Sequence, residues 1–218
     1  GGGTYLVQNK ILPGAYINFV SQPRAMVTLG ERGTVCMALE LDWGKSGMMT
    51  VEAEEFQTEA QDIFGYDYTH EKMKPLRELF LYAKKALLYR CNSGEKASAK
   101  IGECTVQAKY GGIRGNDVKI VITKNVDDET AFDVKTYLDL VLQDTQTVKT
   151  IEELNENTYV TFQGTGALQA NAGINLTGGT NKEVTGNDYA DFLEEAEKEN
   201  FSVLAYAGED EVTKGLFT

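Results

Sequence analysis

Apolar and polar residues alternate along this chain with two different periods, and the change between them divides it. From Ala99 to about Thr177 the period is two: "CTVQAKY", "DVKIVITKN", "FDVKTYLD", "TQTVKT" and "NTYVTFQG" each read as a half-buried strand bounded by turn residues. Only "IEEL" hints at a helical turn there. On either side the pattern mixes helices and strands. A helix is expected from Val51 to Phe64, capped by Thr50, with Phe56, Ala60 and Ile63 on its apolar face and Glu52, Glu54 and Glu55 at the positive end of its dipole. The strongest helical spacing is in "MKPLRELFLYAKKALLYRC", where Pro75 suits a first turn and Leu76, Leu79, Phe80, Ala83 and Leu87 form a stripe. Leu81, Tyr82 and Leu88 lie outside that stripe, so the segment is expected to be buried on more than one side.

Ahead of these elements, "RAMVTLGERGTVCMALEL" and "DWGKSGMM" read as buried strands, with a turn at Gly30 to Gly33 and Trp43 as a core or interface anchor. The first residues read as extended, with Tyr5 and Val7 in a strand-like run and a break at Pro13-Gly14. After the period-two block, Asn187 is expected to cap a helix bearing Tyr189, Phe192, Leu193 and Ala196 on one face. "FSVLAYA" then reads as a strand and "DEVTKGLFT" as the start of a helix, from which a missing C-terminal continuation is expected. The fold class is therefore α+β: a discontinuous α/β domain (23–98 and 178–218), an inserted β-rich domain, sandwich or barrel-like (99–177), and an extended N-terminal arm (1–22).

Composition narrows the function classes. The 218 residues carry a net charge of −12, which repels nucleic acid and anionic lipid, so neither is an expected partner. Lys84, Lys85 and Arg90 are the best basic candidates and read as the solvated face of a helix. No apolar run reaches membrane-spanning length, and the N-terminus lacks a signal-peptide pattern. Cys36, Cys91 and Cys104 are odd in number and widely spaced, which favours free thiols over a disulfide framework or a zinc site. The single histidine, His70, reads as an exposed residue before a helix and leaves a Ser-His-Asp triad little room.

The candidate chemistry is in the glycines. "AKYGGIRGND" packs Gly111, Gly112 and Gly115 around Arg114 after a strand. A dinucleotide loop must lead into a helix whose N-terminus faces the pyrophosphate, but here a strand follows. No Gly-Lys-Ser/Thr completes a phosphate loop. "GTGALQ" places Gln169 where a last glycine belongs, and "LTGGTN", with Gly178 and Gly179, has no lysine at the required offset. All three read as β-turns. No catalytic residue, metal ligand or cofactor site is expected, and the chain is not expected to be an enzyme.

"NKILPGAYINF", "LFLYAKKALLYR", "AKYGGIRGND" and "LTGGTN" with "DYADFLEE", in that order, resemble contractile tail sheath proteins, most nearly the short sheath of Gram-positive prophages and phage-tail-like bacteriocins. The resemblance implies a structural subunit that polymerises around a tail tube and contracts to drive it through a target envelope, with no nucleotide. It implies homo-oligomeric neighbours and a tube protein as partners, and a place in a virion tail or bacteriocin particle assembled in the host cytoplasm. Tyr5, Leu6 and Val7 would belong to an arm that adds a strand to a neighbour. Pro13, Gly14, Gly111, Gly112, Gly115, Gly178 and Gly179 would be structural turns. The family continues through a further C-terminal domain, so this chain alone is expected to be a monomer or small oligomer. Two other classes stay open on the residues: a β-rich binding module for an adhesin or carbohydrate role, with Tyr110 or Tyr137 exposed, and a nucleotide-binding enzyme.

Overall fold

The computed structural model describes residues 27–29 and 33–199, so the expected arm, with Tyr5, Leu6, Val7, Pro13 and Gly14, and the expected elements after Glu199 lie outside the described residues. Strands β1 (Val27–Leu29), β2 (Thr34–Leu39), β3 (Gly47–Glu52) and β4 (Lys85–Arg90) form a mixed sheet in the order β1-β2-β4-β3. Strands β2 and β4 run parallel in its centre. Alternation along β2 decides what covers each face. Val35, Met37 and Leu39 point into a core with Phe56, Ala60, Phe64, Leu76 and Leu79 from α1 (Ala53–Phe64) and α2 (Lys74–Tyr82). Cys36 and Ala38 point the other way, onto Tyr189, Phe192 and Ala196 of α3 (Gly186–Lys198). A strand buried on both faces shows a continuous apolar run, which is what "TVCMAL" is.

The central strand β4 corrects the helix expected through "MKPLRELFLYAKKALLYRC". That helix ends at Tyr82, Ala83 is extended (φ −111°, ψ 135°), and Lys85–Arg90 pairs with β2 and β3. Its residues Ala86 and Leu88 face α1 and α2, while Leu87 faces α3, so the apolar surfaces that looked like several sides of one helix are the two faces of a strand. Arg90 is accordingly not on a solvated helical face; it is 1% exposed. Lys84 and Lys85 are exposed, but at the entry to a strand.

Two expected helix caps move. The strand β3 runs to Glu52, so Glu52 caps α1 in place of Thr50, its N–H donating to the Glu55 carboxylate at 3.2 Å. Thr185, not Asn187, caps α3, its N–H donating to Asp188 at 2.7 Å. The segment "DWGKSG" is irregular up to the start of β3 at Gly47.

The remaining strands make two antiparallel sheets. Strands β5 (Ser98–Ile101), β6 (Cys104–Ala108) and β10 (Val160–Gln163) are ordered β10-β6-β5. Strands β7 (Val118–Lys124), β8 (Phe132–Leu138), β9 (Val141–Val148) and β11 (Asn171–Asn175) are ordered β11-β7-β8-β9. Cys104, Val106, Ala108, Val118, Ile120, Ile122 and Val134 fill the core between them with Trp43, giving the alternation its meaning. The chain enters and leaves this sandwich side by side: Ser93 bridges to Asn181, and Lys182 N–H donates to Asn92 O at 2.8 Å. Cys36, Cys91 and Cys104 are free and buried; burial pushes the Cys36 and Cys91 thiols up to about 12.

Candidate functional site: the glycine-rich joint

The loop at Gly111 to Asp117 lies where the sandwich meets the mixed sheet. It is not a β-turn. Gly112 (φ 135°, ψ 162°) leads into a 3-10 turn, Ile113–Asp117, which delivers the chain into β7. Three consecutive backbone donors of the loop are used within the fold. Gly112 N–H donates to Glu95 O at 3.1 Å, Ile113 N–H to Asn181 Oδ1 at 3.1 Å and Arg114 N–H to Asp42 O at 3.1 Å. Three acceptors from three distant segments hold the loop, and none of these donors points at solvent.

Close approach explains the glycines. A Cβ on Gly111 would stand 2.0 Å from Gly94 O, and one on Gly112 would stand 2.0 Å from Asp42 O. Neither distance is open to a real side chain. Gly115 packs against Ala97 and Ala108. In the return loop, Gly179 exchanges two hydrogen bonds with Asn116, donating at 2.8 Å and accepting at 2.9 Å, while Gly178 takes a positive φ of 84°. The structure therefore brings Gly111, Gly112, Gly115 and Gly179 together in one contact region.

Arg114 is the side chain that crosses the joint. It is 6% exposed, donates from Nε to Gly65 O at 2.7 Å, and grips Asp139 with two bonds of 2.9 and 2.7 Å. Asp117 accepts a further bond at 2.9 Å, and the guanidinium lies 4.4 Å from the centre of the Tyr66 ring. Planar, forked geometry is why this place takes arginine and not lysine. Burial alone would lower its pKa, but the two carboxylates outweigh burial and raise it.

Asp42 is the second hub. Its carboxylate accepts from Tyr66 Oη at 2.6 Å, Lys72 Nζ at 2.9 Å and Asn181 Nδ2 at 2.9 Å. Burial pushes this carboxyl up, yet the hydrogen bonds from Tyr66, Lys72 and Asn181 together hold it below its ordinary value. A carboxyl with a depressed folded pKa stabilises the fold above its unfolded value near 3.9, and that contribution is lost as pH falls through the lower, folded value. Acid unfolding monitored by Trp43 fluorescence is expected to begin below about pH 4, and Asp42→Asn is expected to flatten part of that dependence. An identical acid profile in both proteins would show that the Asp42 network adds nothing.

Beside these hubs, Trp43 is 1% exposed and packs edge-on against Tyr110 at 5.3 Å, and Tyr159 Oη accepts from Gln61 Nε2 of α1 at 2.9 Å. Tyr110 is thus a packing residue, and Tyr137 lies half-buried beneath Lys119, 5.1 Å from its ring centre. His70 is exposed, as its position before a helix implies; its Nδ1 accepts from Lys72 N–H at 3.1 Å and its ring stacks on Tyr66. The sequence reading did not single out Asp42, Tyr66 or Asn181. Their signal was weak: a polar residue beside a glycine or aromatic in "LDWG", "FGYD" and "GGTN". Among the described residues no group of three or more His, Cys, Asp or Glu is placed to hold a metal, and no helix is long and apolar enough to cross a membrane.

The two halves joined here correspond to two consecutive family matches. Residues 32–91 match the family described as tail sheath protein Gp18 domain III N-terminal region, and residues 92–181 match the phage tail sheath protein beta-sandwich domain. The chain belongs to the phage tail sheath proteins. Among similar proteins, the phage-like element PBSX protein XkdK of Bacillus subtilis is 39% identical over 94% of this chain and 48% of its own length. The uncharacterized protein YqbK of the same organism is 39% identical over 96% of this chain and 49% of its own. The crystal structure of the sheath tail protein from Desulfitobacterium hafniense superposes with a TM-score of 0.74 at 44% identity, covering 87% of this chain and 44% of that one. The sheath tail protein from Listeria innocua gives 0.72 at 36% identity, with the same coverage. The chain spans about half the length of these relatives.

Proposed function

We propose that this chain is part of a structural subunit that polymerises around a tail tube, in a virion tail or bacteriocin particle assembled in the host cytoplasm, and contracts to drive the tube through a target envelope. One observation carries the reading: the consecutive match of residues 32–91 and 92–181 to two sheath domains. The joint is consistent with it. Three consecutive N–H groups of the glycine loop donate to the chain's own Glu95, Asn181 and Asp42, which fastens the loop within the fold. Such a unit stores energy in subunit packing and needs no catalytic residue of its own.

On this reading the α/β half (23–98 and 178–218) is discontinuous, with the β sandwich inserted at the Ser93–Asn181 bridge. Residues 1–22 form the linking arm, and Tyr5, Leu6 and Val7 pair with a neighbour's sheet edge. Negative-stain microscopy of the full-length protein with its tube protein is expected to show regular cylinders. Deleting Gly1 to Lys10 is expected to abolish them while circular dichroism stays unchanged. A protein that forms no polymer, yet binds ATP, GTP or NAD at micromolar concentration through Gly111 to Gly115, would overturn the reading.

A further inference from the structure

The hairpin between β8 and β9 turns through Asp139 (φ 54°) and Leu140 (φ 94°), the two non-glycine residues with positive φ among the described residues. Two-residue hairpins of this hand place glycine at the second position, because a side chain there is strained. Leucine occupies it here and is 82% exposed, so its side chain returns almost no burial to its own fold. Val141 and Leu142, next along β9, are 63% and 47% exposed. This apolar tip is held firmly, since Asp139 is the residue that Arg114 grips with two bonds. A strained, exposed, rigidly mounted leucine is the signature of a contact made with another molecule.

A matching surface lies at the opposite end of α1. That helix starts where Ala53 N–H donates to Lys84 O and ends at Gly65, whose carbonyl accepts from Arg114. Twelve residues of helix separate the two ends by about 18 Å. At the Lys84 end, Leu81 is 77% and Tyr82 60% exposed. Lys84 and Lys85 follow them, both exposed and without an ion pair among the described residues. Carboxylates not held by Arg114 lie near the tip: Asp62 on α1 follows Gln61, whose amide reaches Gln143 beside Leu142, and Asp144 is on the same hairpin. Asp117 is paired with Arg114, and Lys119 lies beside Leu140, so Asp62 and Asp144 are the groups open to a second copy's lysines.

We propose that the Leu140–Leu142 tip of one copy seats on the Leu81–Tyr82 surface of a second copy, with Lys84 and Lys85 facing the carboxylates beside the tip. The two surfaces differ and lie at opposite ends, so they meet only between molecules. The contact is head-to-tail and propagates into rings or helical strands. This rests on the sheath reading, since it supplies the second copy.

The test uses the full-length protein carrying Tyr82→Cys and Leu140→Cys together, oxidised after assembly and run on a non-reducing gel. Native Cys36, Cys91 and Cys104 are buried and give little background. A ladder of covalent oligomers is expected from the double variant, a dimer from an equimolar mixture of the two single variants, and monomer from either single variant alone. Sheath polymers without a ladder, or dimers from Leu140→Cys alone, would overturn the contact and leave the sheath reading standing. Absence of any polymer in the unaltered protein would overturn both. A second variant separates contact from folding. Leu140→Gly relieves the turn, so its melting temperature is expected to hold or rise by ~2 °C. Its critical concentration for polymerisation is expected to rise by about tenfold or more; an unchanged critical concentration overturns the proposal.

Discussion

Gly112→Ala is expected to cost this fold about 3–5 kcal/mol, among the largest effects available to one methyl group. The added Cβ would stand 2.0 Å from Asp42 O and 2.9 Å from an Arg90 terminal nitrogen, and the residue would have to keep φ at 135°. Backbone strain accounts for about 1–3 kcal/mol of that. The rest comes from prising the loop off Asp42, which also loosens the hydrogen bond from Arg114 N–H. Gly166→Ala is the matched control: its φ is 101°, but nothing lies within 4 Å of an added Cβ. Urea unfolding of both variants separates the clash from the dihedral. If Gly112→Ala unfolds no earlier than Gly166→Ala, the joint has slack that the close approaches exclude.

Arg90→Ala is expected to destabilise by a similar amount, about 3–5 kcal/mol. The guanidinium is 1% exposed and makes no ion pair among the described residues; it donates to Gly44 O at 2.6 Å, Leu41 O at 3.1 Å and Asn92 Oδ1 at 3.3 Å. Burial draws its pKa down to about 10, so it stays charged at neutral pH and serves as a cationic peg for the Gly44 and Leu41 carbonyls, while Asn92 Oδ1 also accepts from Leu41 N–H at 2.9 Å. Alanine would take the guanidinium donors from Gly44 O and Leu41 O and leave a cavity. Arg90→Lys keeps the charge but lacks the fork, so about half the loss is expected. Guanidinium titration followed by the single tryptophan, Trp43, measures both. A loss below about 1 kcal/mol for Arg90→Ala would mean that water replaces the guanidinium.

The period-two block was legible because β6, β7 and β8 bury alternate residues in the sandwich core, so alternation survives in the sequence. Helices α1 and α3 were legible for the corresponding reason at a period of 3.6. Strand β4 was not. Ala86, Leu87 and Leu88 include good helix formers, the spacing continues unbroken from α2, and the break at Ala83-Lys84 has neither glycine nor proline. Pairing with β2 on one side and β3 on the other decides the matter, and no local pattern reports it. The glycine loop divides the same way. A following strand was enough to argue against a phosphate site, but the joint depends on Asp42, Gly65, Arg90 and Asn181, which only the folded chain brings together.

The arrangement around α3 has a consequence for synthesis. The face of β2 and β4 that carries Cys36, Ala38 and Leu87 is covered by Tyr189, Phe192 and Ala196. The covering helix leaves the ribosome roughly 100 residues after Leu87, once the whole sandwich has been made. At about 5–20 residues per second, that apolar face stays bare for roughly 5–20 s in every nascent chain. During that interval a sheet with an uncovered side is open to neighbouring nascent chains. On the proposed sheath reading the protein is produced in many copies, and it is most exposed to misassembly before α3 has docked.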